Sequence, residues 1–309
     1  MRLILKINAS LLHGLCMLFL FSGCSSSLIS NSKVQALTKD YCKPNVVYSQ
    51  NLFKQSIGVQ DSLLLSGCFS YHDCLLIKNI GLSIPVLECL KAQGDKEKIE
   101  AKQKIILKYL LFAAEVDAVA AELDCNGERI DQLAGYVDNL NSKKQIRLTI
   151  SSILAGAVTS VTAATVKNDN LNNALSIAGG MATGVLGFMT LNPKGKKVSM
   201  EIDRNMLGSI WYRNNDAQFY PDSVWSVLSD KKFSNSNSLS MIETIRLRWF
   251  KYGLEGEQGS PLEMLYFKQG GLYTAEDLHR AANMHNELQA TVRAIQQDLR
   301  SLMQGVNAL

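Results

Sequence analysis

The sequence predicts an all-α protein built from long antiparallel helical hairpins. Apolar residues from 99 to 123 recur at the three- and four-residue spacing of a helix, and the same spacing returns from 278 to 302. Alternation with period two, which is typical of half-buried strands, is absent. The 309 residues are 47% hydrophobic and 19% charged, a composition that folds into one or two domains.

Charge and motifs exclude several function classes. The 32 basic and 28 acidic residues are too balanced for a nucleic-acid-binding protein, so nucleic acid is not expected as a partner. The chain lacks the serine-hydrolase, zinc-protease, phosphate-binding and dinucleotide-binding motifs, and its histidines form no constellation. We therefore expect no enzyme, no catalytic residues and no metal site.

The first 23 residues have the pattern of a signal peptide. Arg2 and Lys6 precede an apolar stretch from Ala9 to Ser22, whose 14 residues are too few to cross a bilayer. Residues 1–23 are predicted to be removed from the mature chain.

The next residues carry a lipidation signal. The run Leu20-Phe21-Ser22-Gly23-Cys24 resembles the lipobox of bacterial lipoproteins, with Phe21 where that family usually has Leu. The resemblance implies a covalent lipid on Cys24 as the sole attached group, a tether over 24–33 and membrane lipid as a partner. Ser25 after the cysteine, in place of Asp, implies delivery to the outer membrane, facing the periplasm or the exterior. An ordinary signal peptide or an uncleaved anchor is the alternative.

Cysteine usage agrees with export. All five cysteines left after Cys24 fall in the segment 34–125, which predicts up to two disulfides in an oxidising compartment. The preferred pairs are Cys68 with Cys74 and Cys89 with Cys125. Two thiols and an imidazole within Cys68–Cys74 would also suit zinc, but a fourth ligand is not evident, so the disulfide is favoured.

The segment 34–125 is predicted as a helical subdomain. Short helical runs are broken at Pro44, Gly58, Gly67 and Pro85, and a long helix follows from Asp95 to Cys125. Asn126-Gly127 is typical of a C-cap and turn, so a second segment, 126–200, is expected to begin there. Its first helix carries a coiled-coil-like apolar seam at Ile130, Leu133, Val137 and Leu140.

The most informative segment is an apolar hairpin from Leu148 to Leu191. It has no charge except around the polar turn Lys167-Asn168-Asp169, and it is rich in small residues. Ladders of small residues at four-residue spacing predict that the two helices pack closely through these faces. The ladders are Gly156, Ser160 and Ala164, and Ser176, Gly180 and Gly184.

Basic residues flank the hairpin on both sides, at one end, where anionic lipid head groups would bind them. They are Lys143, Lys144, Arg147, Lys194, Lys196 and Lys197. The hairpin is interpreted either as a tightly packed element of a domain or oligomer interface, or as a membrane-active element. The layout, over 1–27 and about 148–191, resembles plasmid surface-exclusion lipoproteins.

The segment 201–309 combines aromatic clusters with a long final helix. Trp211-Tyr212, Phe219-Tyr220-Pro221 and Trp225 form either a small core or a partner-binding patch. Residues 253–271 are predicted as a loop. Thr274 with Asp277 predicts the start of the last helix, and His285 on its apolar seam is predicted as an interior histidine with its hydrogen bonds satisfied.

The sequence therefore favours a non-enzymatic envelope lipoprotein with a structural or interaction role, oligomeric through its apolar hairpin. Other envelope proteins or further copies of the chain are the expected partners. A pore-forming or membrane-perturbing protein is the first alternative. An envelope hydrolase is the second, and the missing motifs argue against it.

Overall fold

A computed structural model describes residues 28–30, 32–45, 48, 57–165, 168–191, 195–234, 238–257 and 259–309. This part of the chain is all-α, as predicted, with one small two-stranded sheet. The signal peptide and Cys24 lie outside the described residues.

Four short helices precede a very long one. They are α1 (Ser32–Thr38), α2 (Val59–Cys68), α3 (Tyr71–Asn79) and α4 (Ser83–Lys91), followed by α5 (Asp95–Thr165) and α6 (Asp169–Leu191). The predicted break at Gly58 is confirmed, since Gly58 is the N-cap of α2. Gly67 and Pro85 do not break helices: Gly67 lies in the last turn of α2, and Pro85 lies in the first turn of α4, where an amide hydrogen has no helical acceptor.

The second half of the chain alternates short helices with two short strands. The order is β1 (Val198–Glu201), α7 (Met206–Tyr212), α8 (Asp222–Ser229), a 3-10 turn (Lys231–Phe233), α9 (Met241–Arg248), a π-helical turn (Trp249–Gly253), α10 (Pro261–Phe267), β2 (Gly270–Tyr273) and α11 (Ala275–Asn307). The loop predicted over 253–271 was wrong, because Pro261 occupies the first turn of α10 and β2 pairs with β1.

Helix α5 runs without interruption for 71 residues. The turn predicted at Asn126-Gly127 was therefore wrong. A Cβ atom added to Gly127 would lie 3.3 Å from the Cβ of His285 in α11. Gly127 is a site of close helix packing, and not the end of a helix.

Helix α11 packs antiparallel along α5. Gln289 donates to Asp124 at 2.8 Å, Gln296 donates to Asp117 at 3.1 Å, and His279 lies 2.8 Å from Asp131. Residue numbers rise along one helix as they fall along the other, so the two helices run antiparallel. The predicted seam of α11 is buried along its whole length, at Leu278, Ala281, His285, Leu288, Val292, Ile295, Leu299 and Leu302.

The start of α11 is capped as predicted. The Thr274 side chain accepts from the amide of Asp277, and the Asp277 carboxylate accepts from the amide of Thr274. This reciprocal capping box satisfies two amide groups that have no partner within the helix.

The chain forms two compact units. One consists of residues 28–30 with Tyr136–Val198, and it contains the apolar hairpin. The other consists of the described residues of 32–135 and 199–309. Helix α5 contributes to both units.

Candidate functional site: the apolar hairpin

The hairpin is formed by the end of α5 and the whole of α6. A Cβ atom added to Gly179 would lie 2.7 Å from the Cβ of Thr159, and one added to Gly156 would lie 3.9 Å from the Thr183 hydroxyl oxygen. The two helices therefore run antiparallel, and they approach closely at Gly179 and Thr159. Only glycine fits at position 179 without a shift of the facing helix.

The predicted packing ladders are only partly correct. Gly156 faces α6, but Ser160, Ser176, Gly180 and Gly184 are exposed. A Cβ atom added to Gly180 or Gly184 would meet nothing within 4 Å. Helix α6 contacts α5 through the neighbouring positions Gly179 and Thr183, and one residue turns a helix face by about 100°. The side chain of Ala164 is outside the described part.

Five hydroxyl groups of the hairpin bond to carbonyl groups of their own helix. Thr159 donates to the Ala155 carbonyl at 2.7 Å, and Ser160 donates to the Gly156 carbonyl at 2.9 Å. Three other threonines make the same four-residue contact, namely Thr149, Thr165 and Thr190. These side chains need no water as a partner, so their helices suit apolar surroundings.

Large apolar side chains nevertheless point into solvent over the whole hairpin. Among the described residues thirteen are exposed, and the largest, Phe188, is 71% accessible. They are Ile146, Ile150, Ile153, Leu154, Val158 and Val161 of α5, and Leu171, Leu175, Ile177, Met181, Val185, Phe188 and Met189 of α6. An apolar surface of this extent is typical of a binding interface.

The base of the hairpin is fastened on both sides. The Asn141 side chain accepts from the amide of Lys196 at 2.8 Å, and the amide of Ile29 donates to the Lys197 carbonyl at 3.1 Å. Ile29, near the start of the described chain, is thus held at the same end of the hairpin as the basic residues that were predicted to bind lipid head groups. Those in the described part are Lys143, Lys144, Arg147, Lys196 and Lys197, while Lys194 lies outside it.

None of the described helices combines the length and the apolar character needed to cross a membrane.

The disulfide differs from both predicted pairs. Cys42 is bonded to Cys125, and Cys68, Cys74 and Cys89 are free thiols in the described chain. Helix α4 lies beside the start of α5, where Glu88 binds Lys104. Because α5 is continuous, Cys125 lies about 30 Å further along it than Lys104, out of reach of Cys89.

Cys68, His72 and Cys74 do not converge. The His72 imidazole lies 3.2 Å from the Asp298 carboxylate and meets the Phe233 ring edge-on, while the Cys74 thiol donates to the Phe69 carbonyl. Nowhere in the described residues do three potential metal ligands group together.

The aromatic clusters contribute mainly to the core. Trp211 is buried and stacks on Phe267 with a ring separation of 4.5 Å. Tyr220 is buried and donates its hydroxyl to the Met206 carbonyl at 3.0 Å. Tyr212 is exposed, so only the edge of the cluster is open to a partner.

His285 is the interior histidine that the seam pattern predicted. Its Nδ1 donates to the Ala281 carbonyl at 2.8 Å. Burial, aided by the nearby Arg129 charge, lowers the pKa of His285 to about 4, so the imidazole is neutral near pH 7.

Sequence reasoning missed a buried ion pair. Arg204, in the loop after β1, contacts both carboxylate oxygens of Glu122 in α5, and the Tyr48 hydroxyl donates to the same carboxylate at 3.1 Å. The partners are 74 and 82 residues apart, so no local spacing could have indicated them. Every charge in this cluster is matched, which suits a structural role.

Comparison with protein-family models, with characterised proteins and with solved structures found no match for the chain.

Proposed function

We propose that the chain is a non-enzymatic lipoprotein of the bacterial envelope whose copies assemble through the apolar hairpin. The observation that carries this proposal is the set of thirteen exposed apolar side chains on a hairpin in which five hydroxyl groups already bond to their own helix. Such a surface is unfavourable in water, since each Å² of apolar area left exposed costs about 25 cal/mol. A second hairpin would cover it.

The small residues that point outward support assembly between copies. Gly180 and Gly184 have open space beside them, and they adjoin the exposed Ile177, Met181 and Val185. A helix of another copy can approach closely there, with apolar side chains on either side. In the proposed assembly, the ladder that was expected to pack inside the hairpin packs between hairpins.

The position of the tether supports a membrane anchor beside the hairpin. Ile29 is held at the hairpin base, and Cys24 precedes it by only five residues, a span of at most about 18 Å. A lipid on Cys24 would bring the cationic base close to the head groups. The Cys42–Cys125 disulfide fits the oxidising compartment that an exported protein enters.

Insertion of the hairpin into lipid is the second candidate function. The same internally bonded hydroxyls and the same cations at the base favour it. In that case the exposed side chains contact acyl chains in place of another copy.

One double variant distinguishes assembly from membrane insertion, and circular dichroism shows whether the variant is folded. Ile177→Asp with Val185→Asp places two charges on the outer face of α6, and Leu63→Asp is the control at an equally exposed apolar site on α2. The lipidated protein is studied in a mild non-ionic detergent by sedimentation velocity, with circular dichroism to verify folding. Leakage of dye from vesicles of phosphatidylethanolamine and phosphatidylglycerol is measured in parallel.

Assembly through the hairpin predicts a wild-type oligomer whose mass the double variant lowers, with no leakage from either protein. A monomeric wild type that causes leakage, which the double variant abolishes, would support insertion instead. A monomeric wild type without leakage would overturn both candidates.

A further inference from the structure

A second apolar face lies on α5, in the other compact unit. Five large side chains and three alanines are exposed along one side of the helix between residues 99 and 121, and Leu107 is 68% accessible. They are Ile99, Ile106, Leu107, Leu110, Leu111, Ala114, Ala118 and Ala121. We call this set the 99–121 face, and it extends for about 33 Å.

Ile99, Ile106 and Leu110 belong to the apolar pattern that predicted the helix, but the 99–121 face is not core. Ile105, Phe112, Val116 and Val119 occupy the opposite side of α5 and are buried against the rest of the unit. Leu107, Leu111, Ala114, Ala118 and Ala121 alternate at spacings of four and three. This spacing is the seam of a coiled coil, and within the described chain no other helix covers it.

We infer that a second copy of the chain covers the 99–121 face, with the two α5 helices antiparallel. The large side chains lie in the first half of the face and the alanines in the second half. We place the two-fold axis of this dimer between residues 112 and 113 of each α5 helix. Leu107 of one copy then lies opposite Ala118 of the other, and Leu111 lies opposite Ala114. Large residues then meet small ones along the seam, which keeps the helix axes evenly spaced.

Charge also selects the antiparallel arrangement. Among side chains that are not buried, residues 95–108 carry five lysines and three acids, whereas residues 117–130 carry three acids and no base, because Glu122 and Arg129 are buried. The two-fold axis brings the basic half of one helix beside the acidic half of the other. A parallel pair would set lysines beside lysines and alanines beside alanines, so it is disfavoured on both counts.

This interface is independent of the hairpin and goes beyond the proposed function. A chain with two separate self-complementary surfaces builds assemblies larger than a dimer, because each copy then contacts two neighbours. Disrupting one surface should leave the other intact.

The experiment measures assembly with each surface disrupted in turn. Leu107→Glu with Leu111→Glu disrupts the 99–121 face, Ile177→Asp with Val185→Asp disrupts the hairpin, and Leu63→Glu is the control for an exposed apolar site. The full lipidated protein is examined by sedimentation velocity in non-ionic detergent, with circular dichroism as the measure of folding.

The hairpin variant should remain a dimer, and adding Leu107→Glu with Leu111→Glu should raise its dissociation constant by about 100-fold or more. A hairpin variant that is already monomeric overturns the 99–121 face while leaving the hairpin proposal intact. A hairpin variant with the mass of the wild type overturns the hairpin proposal alone.

Charge reversal then tests the orientation. In the hairpin variant, Lys96→Glu should weaken the dimer, because this axis places Lys96 beside the exposed Glu128 of the other copy, and adding Glu128→Lys should restore it. Failure to restore the dimer in a folded protein, or no weakening by Lys96→Glu, would contradict the antiparallel arrangement.

Discussion

At the scale of single residues, glycine decides where two helices can approach closely, because it has no Cβ atom. Gly179 and Gly180 are neighbours in sequence, but only Gly179 faces Thr159 across the hairpin. Threonine is branched at Cβ and has few rotamers, so the facing side chain cannot move aside at small cost. Position 179 therefore requires glycine, and position 180 does not.

Alanine at these two positions should have opposite effects. Gly179→Ala should lower the free energy of unfolding by about 1 to 3 kcal/mol, because the new methyl group overlaps Thr159. In the Ile177→Asp, Val185→Asp variant, where no second hairpin packs on α6, Gly180→Ala should be neutral or stabilising by about 0.5 to 1 kcal/mol, since alanine is the better helix former and has open space there. Urea unfolding followed by circular dichroism measures both. Equal losses of stability would show that the helices meet along a different face.

His285 should make the fold sensitive to acid. Its pKa is about 4 in the folded protein and about 6.5 in an unfolded chain, so the folded state binds the proton less well. The stabilisation is complete above pH 6.5 and is lost as the pH falls toward 4. The loss amounts to about 3 kcal/mol.

The measurement is urea unfolding of the wild type and two variants between pH 7 and pH 4. His285→Leu should lack this part of the pH dependence, whereas His279→Leu, which changes an exposed histidine beside Asp131, should keep it. The same slope in all three proteins would rule out His285 as the acid-sensitive group.

At the scale of elements, the spacing of apolar residues predicts which face of a helix is buried, but it does not predict which other element packs against that face. The seam of α11 and its Thr274 cap follow from local spacing, and both are confirmed. The turn expected at Gly127 was wrong because a glycine that ends a helix and one that admits a neighbouring helix look the same in sequence. The ladder of α6 was displaced by one residue because several small residues adjoin, and only the facing helix selects among them.

The disulfide could not be predicted from local spacing either, since Cys42 and Cys125 are 83 residues apart and only the packed structure brings them together. Their bond fastens the segment after α1 to the middle of α5. By the chain-entropy estimate, closing such a loop stabilises the fold by about 4 kcal/mol.

Cys42→Ser should therefore lower the unfolding free energy by up to about 4 kcal/mol, while Cys68→Ser, at an exposed free thiol, should change it little. Thiol counting in denaturant should find two additional thiols after reduction of the wild type. An unchanged thiol count after reduction would show that no disulfide forms.

At the scale of the whole molecule, the first described residues, 28–30, belong to the same unit as the hairpin. Ile29 donates a backbone hydrogen bond to Lys197 at the hairpin base, and Cys24, the proposed lipidation site, comes five residues earlier in the sequence. The envelope location is a proposal from the sequence, and labelling tests it directly.

Growth with a radioactive or alkyne-bearing fatty acid should label the protein, and Cys24→Ala should remove the label and detach the protein from membranes. Cys68→Ser is the matched control and should keep the label. Equal labelling of the Cys24→Ala variant would contradict the lipoprotein assignment.

The most direct test of assembly through the hairpin is site-specific photocrosslinking in the native envelope. Benzoylphenylalanine replaces either Phe188 on the hairpin or Tyr252 elsewhere, two aromatic positions that are 71% and 70% exposed. We expect covalent dimers of the chain from position 188 and none from position 252. Equal dimer yields from the two positions, or crosslinks from position 188 to lipid alone, would contradict assembly through the hairpin.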